Sequence, residues 1–295
     1  MPEGDSIFRA ARSMHRVLAG HVVTRFETAY AHLDRVNVDT PIAGRTIERV
    51  ESAGKHHLIV FGPPTRGLCA LGQSGDLILR THMRMNGSWH LYRHGERWWR
   101  GPQAMRVRLD TADWVAVAFD VPVAEFVTPR QLATTGPVAR LGPDLLGPRF
   151  DRDEAVRRLS ASARQPIAMS LLDQRLVAGI GNVYKSEVLF LSRINPFTPA
   201  GAVPKEALER MMDLARGLLK DNVIDGTSPR IQTYRNLRMT NRASNHDESL
   251  WVYGRAGKPC RKCGTPIEMK KMGVEARSTY WCPACQQSQQ STVDS

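Results

Sequence analysis

The chain has 295 residues, enough for one large domain or two to three smaller ones, and 42% of them are hydrophobic, ample for real cores. Lysine and arginine number 41 against 29 acids, a net charge of +12, which favours a polyanionic partner, nucleic acid ahead of an anionic membrane. No run of about 18 apolar residues is present and no charged-then-apolar leader opens the chain, so neither a membrane span nor a secretion signal is expected, and the default compartment is the cytoplasm with its chromosome.

The chain opens MPEGD. Removal of Met1 leaves Pro2 with a free secondary amine and Glu3 with a carboxyl group directly beside it. A terminal amine titrates near about 8, against about 10.4 for lysine, so it is more readily the deprotonated nucleophile. Residues 5–19 carry Ile7, Ala10, Ala11, Met14, Val17 and Leu18 at three- and four-residue spacing, which predicts a helix capped by Asp5 or Ser6, with Arg9, Arg12 and Arg16 on the other side.

From 20 to about 125 the pattern changes to short strands: HVVTRFETA, RTIERVES, HHLIVF, DLILRTHM, RVRLD and WVAVAF, separated by Gly, Pro and Asp. That spacing predicts an antiparallel sandwich or barrel. Gly54-Lys55 sits at the entrance to HHLIVF, where a lysine ammonium can clamp a phosphate, although a lysine there is ordinarily a surface residue. His56 and His57 alternate across that strand, so at least one is expected to face solvent. HMRMNGSW places Met83, Arg84 and Met85 just before the Asn86-Gly87 turn signal; methionine there ordinarily packs, but a DNA enzyme that extrudes a base needs an apolar wedge.

Residues 127–150 are rich in Pro and Gly and read as a linker or hinge. Helical composition follows in DRDEAVRRLSA, PIAMSLLDQRL, VYKSEVLFLSR and KEALERMMDLARGLLKDNV. Between the second and third, Gly179-Ile180-Gly181-Asn182 forms a turn at a helix start. Such a turn offers backbone N–H groups to an anion, and the Asn182 amide can join them, although an ordinary helical hairpin has the same look. Residues 225–250 are polar and irregular and read as a mobile loop.

Four of the five cysteines fall in Cys260-x2-Cys263-x18-Cys282-x2-Cys285. Two such knuckles close a tetrahedron of thiolates around Zn²⁺, and a closed four-thiolate shell makes the metal structural rather than catalytic. The intervening segment alternates like a β-hairpin and carries Lys270, Lys271 and Arg277, a basic tip suited to nucleic acid. Cys69 stands alone. The tail from 286 to 295 is poor in apolar residues and is expected to be disordered.

Taken together, the MPEG start, Lys55 before a strand, LDQRLVAGIGNVYKSEVLF and VYGRAGKPCRKCGTPI…STYWCPAC resemble the formamidopyrimidine-DNA glycosylase / endonuclease VIII family over about residues 1–285, and MPEG is more similar to the endonuclease VIII branch. The resemblance implies an α+β fold: an N-terminal helix with an antiparallel β-sandwich (1–126), a linker (127–150), a helix–two-turns–helix domain (151–250), a C-terminal zinc-finger β-hairpin (251–285) and the tail (286–295). It implies a monomeric bifunctional DNA glycosylase and AP lyase of base excision repair, acting on damaged double-stranded DNA with no membrane partner. Pro2 resembles the family's nucleophile, attacking the deoxyribose C1′ to give a Schiff base before β,δ-elimination. Glu3 resembles its acid–base group. Lys55, Asn182 and Arg277 match phosphate-contacting positions, Lys55 counting also with the catalytic group. Met85 matches the void-filling residue, flanked by Arg84 and Asn86.

The resemblance departs at Asp5 and Ser6, where the family commonly has Pro then Glu. The 225–250 segment also differs from the lesion-capping loop of the formamidopyrimidine branch, so oxidised pyrimidines are favoured over oxidised purines. Two rivals stand beside the enzyme reading. A non-catalytic DNA-binding zinc protein of the same fold would share the basic surface but need no free Pro2 amine. An amino-terminal proline tautomerase would share the proline but not the length or the zinc module.

Overall fold

The computed structural model describes residues 3–64, 76–224, 231–234 and 249–287. These divide into two units: Ser6–Arg140, and Glu3–Asp5 together with the chain from Leu141 onward.

Helix α1 (Gly4–Leu18) forms where the apolar periodicity predicts it. Ile7, Ala11, Met14 and Leu18, spaced at three and four residues, are all at most 2% exposed, while Arg12 and Arg16 face outward. After α1 come β1 (Arg25–Thr28) and α2 (Ala31–Asp39). Seven strands follow: β2 (Arg45–Ala53), β3 (His56–Pro64), β4 (Leu77–His82), β5 (Ser88–Arg93), β6 (Met105–Asp110), β7 (Trp114–Phe119) and β8 (Val123–Val127). They make two four-stranded antiparallel sheets, ordered β1-β6-β7-β5 and β2-β3-β4-β8. Ile47, Ile59, Phe61 and Leu79 from one sheet join Phe26, Val107, Leu109, Ala116 and Ala118 from the other, and the apolar face of α1 enters the same core.

Three elements of this unit are not visible in the sequence pattern. Strand β8 pairs with β4 yet reads VAEFV, and its Glu125 accepts from the largely buried Arg80 at 2.7 Å. The segment after Gly87, not among the expected strands, is strand β5. Helix α2 buries only Leu33, so it carries almost no apolar stripe. The expectation that His56 or His57 faces solvent is also corrected: both are buried, His57 completely. Strand β3 is internal to its sheet, and α1 covers the face of His57, whose Nε2 lies 2.9 Å from the Ile7 carbonyl.

Residues 127–150 are not an open linker. Val127 ends β8, and Pro129–Thr134 (α3) and Gly136–Ala139 (α4) are short helices with proline in their first turns. Thr128 and Gln131 form a reciprocal capping box on α3. Here proline starts helices rather than loosening the chain.

In the second unit, α5 (Arg152–Ala161) is capped by Asp151, and α6 (Ile167–Ser170), α7 (Asn182–Leu191) and α8 (Lys205–Ile224) complete a helical core containing Leu159, Ile180, Tyr184, Leu189, Met211 and Leu219. The predicted helix over PIAMSLLDQRL is cut to one turn. Asp173 Oδ1 accepts from the Arg175 amide, and Gln174 donates to the carbonyls of Leu172 and Ile180 while accepting from Gly179 N–H. These side chains offer the backbone a turn in place of the next helical bonds.

Strands β9 (Glu268–Met272) and β10 (Arg277–Trp281) form the expected antiparallel hairpin. Gln286, placed in the tail by composition, is buried instead, donating to the Ile194 carbonyl at 2.8 Å and accepting from Cys282 N–H at 2.9 Å. The rest of the predicted tail from Ser288, Cys69, and most of the predicted 225–250 loop lie outside the described residues. Among the described residues, no helix is long and apolar enough to cross a membrane.

Candidate functional site

The glycine turn does receive an anion, but the anion is the chain's own. Glu3 is fully buried, and its carboxylate accepts from the Val183 amide at 2.7 Å and the Tyr184 amide at 3.2 Å, in the first turn of α7. Orphan N–H groups and the positive end of the helix dipole make this a natural seat for a carboxylate. Gly181 is required for space: a Cβ there would lie 2.6 Å from both Cγ and Oε1 of Glu3. Gly179 is required for conformation, with φ +107, and its carbonyl accepts from Gly4 N–H at 3.0 Å. The two glycines read as a phosphate nest therefore cradle residues 3 and 4. Pro2 lies outside the described residues.

Asn182, the first residue of α7, is only 6% exposed, and its side chain lies close enough to the Tyr253 hydroxyl to influence its titration. Its Oδ1 accepts from Lys185 Nζ at 2.7 Å. Lys185, absent from the predicted set, is completely buried and donates also to the Ser278 carbonyl at 2.9 Å and to Thr279 Oγ1 at 2.7 Å. Burial pulls its pKa down to about 7, with Glu3 opposing the shift and Arg277 adding to it. Arg277 opens β10 and pairs with Glu275 on the hairpin surface at 2.6 Å. Glu3, Asn182, Lys185, Tyr253 and Arg277 thus form one electrostatically linked group in the second unit.

A second missed residue, Glu187, is also fully buried. It accepts from the amides of Trp251, Val252 and Tyr253 at 2.8–2.9 Å and from the Thr233 hydroxyl, tying α7 to the chain that enters the zinc module. The signal for Lys185 and Glu187 is the presence of charged residues in a helix whose C-terminal end, VLFL, is wholly apolar; Lys185 lies one turn from Asn182.

The first unit holds the remaining predicted residues. Ala53 and His56 are paired, so Gly54-Lys55 is a two-residue hairpin turn, with Gly54 at φ +56. Lys55 projects its charge onto His82, whose pKa is lowered to about 4 chiefly by burial and next by Lys55. His82 Nδ1 accepts from the Arg84 amide at 3.1 Å, holding Arg84 in the left-handed region at φ +46. Met85 follows at the tip and is 55% exposed. The turn closes with Gly87 N–H donating to the Met83 carbonyl at 2.9 Å, where a Cβ on Gly87 would lie 2.7 Å from that same oxygen. Met83 packs into the core, whereas Arg84, Met85 and Asn86 are presented outward. Behind them, Arg80 Nη1 lies 2.9 Å from His56 Nδ1, and the His56 and His82 rings meet edge to face at 4.7 Å.

The four cysteines Cys260, Cys263, Cys282 and Cys285 bring all their sulfurs within 4.8 Å of one another. Individual Sγ–Sγ separations of 3.4, 3.5 and 3.9 Å bracket the about 3.8 Å edge of a tetrahedron with Zn–S bonds of about 2.3 Å. The donor set and its size fit one structural Zn²⁺, and all four positions of the shell are supplied by protein.

Comparison with known proteins matches three successive regions. A model of the formamidopyrimidine-DNA glycosylase N-terminal domain covers residues 1–134, one of the formamidopyrimidine-DNA glycosylase H2TH domain covers 141–233, and one of a zinc finger found in FPG and IleRS covers 257–287. The chain is 40% identical to the probable endonuclease 8 2 of Streptomyces coelicolor, over 97% of this chain and 94% of that one. It is 35% identical to the DNA-(apurinic or apyrimidinic site) lyase Nei2 of Mycolicibacterium smegmatis, over 97% and 99%. In fold it is similar to a crystal structure of Lactococcus lactis formamidopyrimidine-DNA glycosylase bound non-covalently to AP-site DNA, with a TM-score of 0.77 at 23% identity, covering 97% of this chain and 100% of that one.

Proposed function

From the premise that this chain belongs to the formamidopyrimidine-DNA glycosylase / endonuclease VIII family, we propose that it is a bifunctional DNA glycosylase and AP lyase of base excision repair. The observation that carries the reading is the burial of Glu3 against the start of α7, with both carboxylate oxygens held by backbone N–H groups immediately after Pro2. A buried, doubly hydrogen-bonded carboxylate one residue from a terminal amine is a costly arrangement for a chain end without chemistry.

In this mechanism the Pro2 nitrogen lone pair attacks C1′ of the damaged nucleotide. The bond from C1′ to the base breaks, and the base leaves with a proton. The C1′–O4′ bond then opens, O4′ taking a proton from Glu3 as the Pro2 nitrogen gives up its own, and the secondary amine becomes a cationic iminium, an electron sink that lets a C2′ proton leave with loss of the 3′ phosphate and then of the 5′ phosphate. Glu3, held with its two oxygens at fixed positions, serves as the acid–base group on the sugar. Asn182 and Arg277 contact phosphates from the second unit and Lys55 from the first, Lys55 counting also with the catalytic group, while Met85, flanked by Arg84, fills the space left by the extruded base. Zinc at the four cysteines holds the hairpin that carries Arg277. We assign the substrate as damaged duplex DNA, favour oxidised pyrimidines, and place the enzyme in the cytoplasm with the chromosome. The domain limits we propose are the two described units, with the zinc hairpin as a module of the second.

The test is borohydride trapping on duplex DNA containing an abasic site. The processed protein is expected to give a covalent adduct, and a version with a retained N-terminal extension none. Equal trapping by both rejects Pro2 as the nucleophile. A panel of single-lesion duplexes then decides the base preference.

A further inference from the structure

Lys185 has no part in the mechanism above, yet it is the buried amine beside it. Its Nζ has three acceptors, Asn182 Oδ1, the Ser278 carbonyl and Thr279 Oγ1, at 2.7, 2.9 and 2.7 Å. Three acceptors match the three hydrogens of an ammonium group. Two of them, residues 278 and 279, directly follow Arg277 on β10. The third belongs to Asn182. We propose that Lys185 is a positioning residue that fixes the Asn182 amide in one orientation and ties it to the strand presenting Arg277, so that the two phosphate-contacting side chains act as one clamp.

Donor and acceptor geometry around Nζ supports this role, which rests on the functional reading above. An asparagine amide can flip by exchanging its oxygen and nitrogen, with little change in shape. With Oδ1 committed to Lys185, the amide nitrogen, which carries both donors, is the end left for an anionic oxygen. Without the ammonium, the amide can turn its oxygen toward a phosphate, which repels it. Burial lowers the pKa of this amine by desolvation, and the three acceptors around Nζ offset that cost by holding the ammonium form. A methionine of similar length would pack there without that cost, so packing does not account for the lysine.

The experiment is a double-mutant cycle read by fluorescence anisotropy on duplex DNA carrying a tetrahydrofuran abasic analogue, which binds without reacting. Lys185→Met is expected to weaken binding about 10- to 100-fold, the range of one lost charge-assisted hydrogen bond. Asn182→Ala is expected to fall in the same range, and the double variant to be within about twofold of Asn182→Ala alone. Zinc content and melting temperature are measured on each variant. If Lys185→Met loses zinc, Lys185→Ala, which also removes the donor but leaves room for water beside Ser278 and Thr279, repeats the cycle with the same criterion. Wild-type affinity in the lysine variant, or losses that multiply, overturns the positioning role. A wild-type protein that does not prefer the abasic analogue to undamaged duplex overturns the functional reading and this role together.

Discussion

Replacing Gly181 with alanine tests the seat of Glu3 with a single methyl group. Gly181 has φ −117 and ψ −163, so alanine introduces no backbone strain. Its Cβ, however, would lie 2.6 Å from Cγ and Oε1 of Glu3, with Cδ nearer still. The carboxylate must leave the Val183 and Tyr184 amides, giving up two hydrogen bonds to a charged group at about 1.5–3 kcal/mol each. Partial repairing by water reduces the sum to roughly 3 kcal/mol, and a loss of that size, expressed in the transition state, is about two orders of magnitude in rate. The assay is the initial rate of borohydride trapping, with the melting temperature measured alongside. Glu3→Gln is the control background, in which Gly181→Ala should cost much less. Trapping within twofold of wild type, at an unchanged melting temperature, would refute the argument that Gly181 exists to admit Glu3.

The remaining predictions concern the phosphate contacts, the metal and pH. Asn182→Ala and Arg277→Ala should each weaken damaged-DNA binding by about 1–3 kcal/mol, and Arg277→Ala should also lower the salt slope by about one; unchanged titrations and slopes reject those contacts. Removing zinc with a chelator should unfold the module from 251 to 285 and reduce DNA affinity, because the fold there is closed by the metal; unchanged circular dichroism and affinity after verified metal loss would contradict it. His56 and His57 are held neutral by burial, with pKa values of about 3 and about 4 against about 6.5 when exposed. Between pH 6.5 and about 4 the unfolded chain therefore binds protons that the folded chain refuses, so stability is full above pH 6.5 and falls as the pH drops through that window. Urea denaturation at pH 7.5 and 5 should show the loss, with a shallower loss for His57→Asn; equal pH dependence for the two proteins would dismiss His57 as a source.

The zinc site, α1 and the basic hairpin were legible in the sequence for a common reason: each is written in spacing over a few residues. Two Cys-x2-Cys knuckles set sulfur positions locally, and the three- and four-residue spacing of Ile7, Ala11, Met14 and Leu18 marks one helix face. The boundary between the two units, at Arg140 and Leu141, falls inside the 127–150 segment, but its two short helices were not legible because Pro and Gly signal both helix starts and loops.

What composition and motif spacing determined by themselves was the inventory: a basic chain, a proline and a glutamate after Met1, a glycine turn before Asn182, and four cysteines spaced for one metal. The tertiary structure decided which of these meet. Glu3 and Val183 are 180 positions apart, and no local pattern states that the anion for the glycine turn is the chain's own third residue. The same holds for Lys185, whose partners Ser278 and Thr279 lie on a distant hairpin. Buried polar groups must find partners wherever packing brings them, and packing is set by the whole core rather than by neighbours along the chain.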